Sequence, residues 1–336
     1  MTVDNNRYSR QIRFKGIGQE GQTLIAQAHV TIIGMGALGS HLAEGLVRAG
    51  IGELTIVDRD YIEESNLQRQ TLYSANDAVE ALPKVIAAKQ ALHAISKDVT
   101  INTFIEQVDY AFLEAHSREV NLILDATDNF DTRMLINDFA FKNNIPWIYG
   151  GVVQSTYVEA PFIPGETPCF NCLLPQLPAI NLTCDTVGVI QPAVTMTTSL
   201  QLKDALKIIT GNDVPAKYTY GDIWNGEHHV FGFSRVSDDD CYTCGANPAF
   251  PHLNKQAHEY ASLCGRDTVQ YQNKHISQEM LVNFLVENNI DYKSNDYLIM
   301  FRYDGYRLVN FQDGRFLIHN MSQASEAAKL MNQLFG

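Results

Sequence analysis

The sequence predicts an α/β fold: a doubly wound, mostly parallel sheet with an antiparallel extension and a small C-terminal α+β module. Three observations predict it. Short apolar runs alternate with stretches apolar at helical spacing between His29 and Val153. The first apolar run ends in a glycine-rich turn that opens directly into a helical pattern. After Cys244 the composition shifts, and a separate pattern of strands and helices begins.

Taken in order, His29 to Gly34 (HVTIIG) reads as a buried parallel strand. Leu38, Leu42 and Leu46, with Ala43 and Val47 alongside, mark a helix to Ala49. Leu54 to Val57 is a second buried strand, closed by Asp58. Pro83 to Ser96 reads as a helix with proline in its first turn, where a missing N–H costs little. Val99 to Ile105 alternates as a strand, and Leu122 to Asp125 is another buried one. Phe130 to Asn143 is a helix and Ile145 to Val153 a strand. Glu166 to Asn181, rich in proline and cysteine, reads as a loop; Val194 to Thr210 is helical, and Tyr218 to Val236 has the look of antiparallel strands.

Gly245 to His252 (GANPAFPH) reads as a linker. The expected division is therefore a unit over 1–250 and a smaller one over 253–336. In the latter, Thr268 to Gln272 is strand-like and Ser277 caps a helix to Glu287. Tyr297 to Tyr303, Tyr306 to Phe311 and Arg315 to Ile318 make a meander around two Asp-Gly turns. Gln323 to Phe335 closes as a helix.

Of the 336 residues, 45% are hydrophobic and 19% charged, which excludes wholesale disorder. The net charge of −13 argues against nucleic acid as the main partner, so an anionic ligand needs a locally basic pocket. No apolar run is long enough for a membrane span, and Met1 to Gly18 lacks a signal core. Cysteines paired as two C-x-x-C units point to metal or redox chemistry in a reducing compartment, hence the cytoplasm.

Gly34, Gly36 and Gly39 fit G-x-G-x-x-G between a strand and a helix. Glycine lets phosphate approach backbone amides at the helix N-terminus, and Asp58 at the end of the next strand can accept ribose hydroxyls. Alone, this suggests a dinucleotide and a nicotinamide-dependent oxidoreductase. The residues beyond Asp58 do not suit that reading. Asn66, Arg69 and Gln70 lie in SNLQRQ, and Lys84 comes next in LPK. Asn66, Arg69 and Lys84 can together surround a triphosphate. Asp128 and Asn129, in DATDN, lie just past a strand's carboxyl end. Either can serve magnesium with phosphate oxygens, or cap the next helix; magnesium is favoured for Asp128 and the cap for Asn129.

In order, RYSRQI at 7–12, the glycine loop, SNLQRQ, LPK, DATDN, two C-x-x-C pairs and Thr183-Cys184 resemble the MoeB/ThiF family, bacterial relatives of ubiquitin-activating enzymes. The resemblance runs from about residue 5 to about residue 245. It implies ATP- and magnesium-dependent adenylation of the C-terminal glycine of a small ubiquitin-like sulfur-carrier protein, MoaD-like or ThiS-like, in molybdopterin or thiamine-thiazole biosynthesis. It also implies a homodimer in which Arg10 reaches the other subunit's nucleotide. Arg69 and Lys84 take phosphate and catalytic roles, Asp58 the ribose and Asp128 magnesium; Asn66 and Gln70 match the same motif. A non-catalytic relative is disfavoured, because every charged motif position is intact. A relative acting on another carboxylate, such as one borne by RNA, is disfavoured by the net charge.

Cys169, Cys172, Cys241 and Cys244 supply two pairs of thiolates, enough for a closed, structural zinc site; two redox pairs are the alternative. The resemblance implies structural zinc as well. It also places Cys184 near the adenylate, where one branch of the family links this cysteine to the carrier through an acyl-persulfide. Asp185 beside it would raise its pKa, so a catalytic Cys184 and an inert one stay equally open. Cys264 reads as a small buried apolar residue. The C-terminal unit does not read as a rhodanese; partner docking and a packed appendage both remain open for it.

Overall fold

The computed structural model describes residues 6–177, 187–254, 260–262, 267–273 and 275–335. The chain divides into two compact units, Met1–Lys255 and Gln256–Gly336.

In the first unit the elements run α1 (Ser9–Ile12), α2 (Gly18–Gln27), β1 (His29–Ile33), α3 (Ala37–Ala49), β2 (Glu53–Val57), α4 (Ala75–Val79), α5 (Lys84–Ile95), β3 (Thr100–Phe104), α6 (Tyr110–His116), β4 (Leu122–Asp125) and α7 (Phe130–Asn143). They continue as β5 (Trp147–Val153), β6 (Thr156–Phe162), α8 (Phe170–Leu173), α9 (Gln191–Ile209), β7 (Lys217–Asp222) and β8 (Glu227–Gly232). The sheet order is β3-β2-β1-β4-β5-β6-β7-β8. β3 through β5 pair in parallel, and the β5–β6, β6–β7 and β7–β8 pairs are antiparallel.

Alternation along the strands builds two cores. Val30 and Ile32 of β1 point into one, with Leu42 and Leu46 of α3 and Leu92 of α5. Ile33 points into the other, with Phe112 of α6 and Ile136 and Phe139 of α7. Leu42, Leu46 and Phe139 are fully buried, each contributing roughly 1.5–3 kcal/mol of burial free energy. Helices on both faces explain why the parallel strands read as continuous apolar runs.

The structure departs from expectation in several places. β6 (TYVEAPF) was invisible in sequence because Glu159 and Pro161 break its pattern, yet it pairs antiparallel with both β5 and β7 and carries the sheet onward. α9 begins at Gln191, ahead of the expected Val194, with Pro192 in its first turn. Within the expected loop at 166–181, α8 and a 3₁₀ turn at Leu174–Gln176 form. The expected linker is docked, not free: the His252 N–H donates to Asp138 Oδ2 at 2.9 Å, and Phe250 and Leu253 pack into the second core.

Among the described residues, the second unit is a six-stranded antiparallel sheet with two helices. Its strands are β9 (Tyr260–Ser262), β10 (Thr268–Gln272), β11 (Tyr292–Ser294), β12 (Leu298–Tyr303), β13 (Tyr306–Phe311) and β14 (Arg315–His319), ordered β11-β12-β13-β14-β10-β9. The helices α10 (Gln278–Glu287) and α11 (Ala324–Phe335) place Leu281, Leu285, Leu330 and Leu334 over Val269, Phe301, Leu308 and Ile318. Ser277 caps α10 as expected, accepting from the Met280 N–H at 3.2 Å. The Asp304-Gly305 turn has positive φ at both residues, the conformation that a two-residue hairpin with right-handed twist requires. β9 and β11 were not foreseen; each is only three residues long. Among the described residues, no helix is long and apolar enough to cross a membrane.

Candidate active site

β1 lies between β2 and β4; α3, which follows β1, packs on one face of the sheet and α7, which follows β4, on the other. At such a switch point an open α/β sheet leaves a crevice beyond its strands' carboxyl ends. The glycine turn fills the floor of this crevice. Gly34 has φ +92°, and a Cβ there would fall 2.7 Å from the Ala126 carbonyl oxygen, so the β1 and β4 turns meet backbone to backbone. A Cβ at Gly39 would overlap the Gly34 carbonyl. Gly36 differs: its Cβ would meet only Gln70 Nε2, at 3.8 Å. Packing thus explains Gly34 and Gly39, whereas Gly36 keeps a space open at the start of α3. No side chain caps α3 there, and the first amides of a helix have no intrahelical acceptor. The open end is suited to an anion.

The turn is clamped from both sides. Asp58 Oδ2 accepts the Met35 N–H at 2.6 Å, and the Tyr73 hydroxyl donates to the Met35 carbonyl at 2.5 Å. Burial, with Asp58 and Asp77 nearby, raises the Tyr73 pKa well above its ordinary value, so Tyr73 stays a neutral donor. Asp58 Oδ1 accepts the Asp60 N–H at 2.7 Å. Asp60 in turn holds Lys84: Nζ lies 3.2 Å from Oδ2, with only 4% of the lysine side chain exposed. The Lys84 N–H donates to the Asp60 carbonyl at 3.0 Å, fixing the start of α5 against the end of β2.

Gln70 is buried beside Gly36, and its Oε1 has no hydrogen-bond partner among the described residues. The amide atom beside Gly36 is Nε2, and the orphaned Oε1 is a buried acceptor that a donor on a ligand would satisfy. Asn66 Oδ1 accepts the Glu63 N–H at 3.1 Å and Arg69 Nη1 donates to the Ser65 carbonyl at 3.0 Å, so both are folded onto their own turn.

On the β4 side, Asp125 is fully buried. Its Oδ1 accepts from the Thr127 N–H and hydroxyl, and its Oδ2 pairs with Arg133 Nε at 3.0 Å. Burial raises the Asp125 pKa while Arg133 and Thr127 oppose the shift. Asn129 caps α7, accepting the Thr132 N–H at 3.0 Å, and Asp128 is exposed at the loop's tip. The cap of α7 thus belongs to Asn129 and not to Asp128.

The four paired cysteines converge, with all sulfurs within 4.8 Å of one another. Cys169–Cys241 and Cys172–Cys244 are each 3.5 Å apart, and Cys169–Cys172 3.9 Å. Four thiolates about 2.3 Å from one zinc stand about 3.8 Å apart, so the cluster fits that ion. The Cys169 thiol's hydrogen bond draws the Cys244 pKa down to about 5, while burial pushes Cys172 up to about 12. The Asp138 carboxylate anchors the knuckle to α7 through Thr243, and Asn171 Nδ2 donates to the Thr243 hydroxyl at 2.6 Å.

A family model described as the ThiF family matches residues 8–244, most of the chain and all of this site. This chain belongs to the ThiF family. It is 40% identical over 334 residues to the sulfur carrier protein ThiS adenylyltransferase of Bacillus subtilis (strain 168), covering 98% of this chain and 99% of that one. It is 36% identical over 212 residues to the molybdopterin-synthase adenylyltransferase of Escherichia coli (strain K12), covering 62% of this chain and 84% of that one. Among solved structures, the crystal structure of E. coli MccB with ATP aligns at TM-score 0.62 and 24% identity, over 73% of this chain and 75% of that chain, a likeness of fold.

In this ThiF-family chain the structure gathers Gly34, Gly36, Gly39, Asp58, Gln70, Lys84 and the Asp125–Asn129 loop around one crevice. Asp60, Tyr73 and Arg133 are site-building residues that sequence reading missed. The acid two places after Asp58 was the one legible signal for Asp60. Arg10 is elsewhere: Gln11 Nε2 donates to the Ala49 carbonyl at 2.8 Å, tying α1 to the far end of α3, about 20 Å from its N-terminus. Cys184 and Cys264 lie outside the described residues.

Proposed function

We propose that this chain adenylates the C-terminal glycine of a small ubiquitin-like sulfur-carrier protein, using ATP and magnesium. The observation that carries the reading is the open, uncapped start of α3 at Gly36, with a buried lysine, Lys84, tied to the glycine turn through Asp60 and Asp58. A cation tied to the same turn as open helix amides suits a triphosphate and gives a nicotinamide ring nothing to use. A ThiS-like carrier, and thiazole synthesis, is favoured over a MoaD-like one. The relative named for ThiS is matched through both units of the chain, whereas the molybdopterin-synthase relative is matched over 62% of it.

The carrier's carboxylate is already a nucleophile, so no general base is needed. The protein's work is to hold that carboxylate in line with the α-phosphate and to offset charge on departing pyrophosphate. Asp58 keeps acceptor capacity for ribose hydroxyls while it holds Met35. Lys84 and Arg69 face phosphate charge; to do so Arg69 must leave the Ser65 carbonyl, and Asn66, to join them, must release the Glu63 N–H. Gln70 offers its orphan Oε1. Asp128 is the residue that would hold magnesium, which would supply charge neutralisation at the phosphates. Arg10 is too far from its own glycine turn, so Arg10 of the partner subunit completes the site in a homodimer. Zinc at the four cysteines is structural, and that cluster belongs in a reducing compartment, the cytoplasm.

Arg69→Ala tests the electrostatic assignment. Exchange of pyrophosphate into ATP should fall by about 10²–10³, as loss of one transition-state charge partner does, with little change in thermal stability. Full exchange activity in that variant would remove Arg69 from the mechanism.

A further inference from the structure

The Asp125–Asn129 loop is held with unusual completeness by one residue that no motif reading singled out. Arg133 sits one turn into α7, beneath the loop. Its Nε bonds Asp125 Oδ2 at 3.0 Å, and its Nη2 donates to the Thr127 carbonyl at 2.6 Å and reaches the Gly150 carbonyl at 3.5 Å. Its guanidinium carbon lies 5.0 Å from the centroid of the Tyr149 ring. One planar fork thus joins the end of β4, the middle of the loop and β5. A lysine, with a single nitrogen, cannot reproduce this.

The other fixings of the loop lie around it. Gln201 of α9 donates to the Asp125 carbonyl at 2.8 Å, Gly34 backs onto Ala126, and Asn129 is committed to the α7 cap. Asp128 is exposed between these anchors. Although burial disfavours the Arg133 charge, Tyr149, Asp125 and Asp128 outweigh it, so the Asp128 carboxylate is within electrostatic reach of Arg133.

We propose that Arg133 is the positioning residue for Asp128: it fixes the loop that presents the metal-binding carboxylate, thereby setting the enzyme's divalent-cation requirement. The inference rests on the magnesium role of Asp128 proposed above. A residue that acts on a metal through its ligand has a measurable signature. Its loss weakens metal affinity, and activity returns when metal is supplied in excess.

The experiment compares Arg133→Lys, Asp125→Asn and Asp128→Asn with the unaltered protein. Manganese, a paramagnetic stand-in for magnesium, is titrated into each enzyme–ATP mixture and free ion is read by electron paramagnetic resonance. Pyrophosphate exchange is measured against magnesium concentration, and melting temperature is recorded. Arg133→Lys should weaken manganese binding and raise the half-saturating magnesium by about 10-fold or more, as loss of an outer partner of a metal ligand does. Exchange at saturating magnesium should stay within about 3-fold of the parent's. Asp125→Asn, which frees the guanidinium while keeping the side chain's shape, should do the same and serves if Arg133→Lys does not fold. If the folded variants show parental metal dependence with only a lower melting temperature, Arg133 is merely structural and the proposal is overturned. If Asp128→Asn binds manganese as the parent does, it is the magnesium assignment of Asp128 that falls.

Discussion

Asp60 and Lys84 form a buried ion pair at 3.2 Å, and the Asp60 N–H donates to Asp58 Oδ1 at 2.7 Å. One acidic residue therefore ties the carboxylate proposed for ribose to the lysine proposed for phosphate. The arrangement makes Lys84 a structural residue as well as a functional one. Lys84→Met should lower pyrophosphate exchange by about 10²–10³ and, by leaving Asp60 buried without its cation, cost about 3–5 kcal/mol of stability. The double variant Asp60→Asn/Lys84→Met should recover most of the stability and none of the exchange. Denaturant melts and exchange assays on the three proteins check both halves; a double variant as unstable as the single one would contradict the pairing.

Arg10 is tethered, through Gln11, at the opposite end of α3 from Gly36. Arg10→Ala and Lys84→Met should each be nearly inactive alone. Mixed under conditions that exchange subunits, they should recover about a quarter of parental exchange, because half the dimers then carry one intact site of two. No recovery in verified mixed dimers would show that Arg10 does not act across the interface.

The cysteine cluster predicts one zinc per chain by elemental analysis. Cys172→Ser should reduce zinc content and lower the melting temperature by several degrees, since bound structural metal contributes folding free energy. A strong chelator should do likewise to the parent and leave the variant little changed. A metal-free parent that melts at the same temperature would rule out a structural role.

Glu159 is fully buried; burial, then the neighbouring Asp204 carboxylate, raises its pKa well above 4.5. Above that pH the unfolded chain has lost this proton while the folded chain keeps it, so stability falls as pH rises toward the folded value. Glu159→Gln removes the titration. The variant's melting temperature should decline less than the parent's between about pH 5 and pH 8. Parallel declines would mean that Glu159 is ionised in the folded protein.

Much of this was legible in sequence because local rules and tertiary fold agree. β1, α3, β2, β4 and α7 were readable as apolar runs and helical spacing bounded by glycine, aspartate or asparagine. The four cysteines were readable because spacing alone pairs them. β6 was not, since Glu159 is buried there against Asp204 of α9, a partner far along the chain. Nor was Arg133, which looks like any solvated arginine on a helix until Asp125, Thr127 and Tyr149 are brought around it. The docked segment at 245–252 carried every mark of a linker; its His252–Asp138 contact depends on α7, which sequence proximity does not reveal. Lys84 was singled out, but its burial was not foreseen, and so its structural share was missed.

The most direct test of the central claim is carrier-dependent exchange of labelled pyrophosphate into ATP, with magnesium present. Addition of a ThiS-like carrier ending in glycine should switch exchange on, and removal of that terminal glycine should abolish it. A MoaD-like carrier should support exchange more weakly. Exchange absent with both intact carriers, or unaffected by loss of the terminal glycine, would contradict the assignment of this chain as a sulfur-carrier adenylyltransferase.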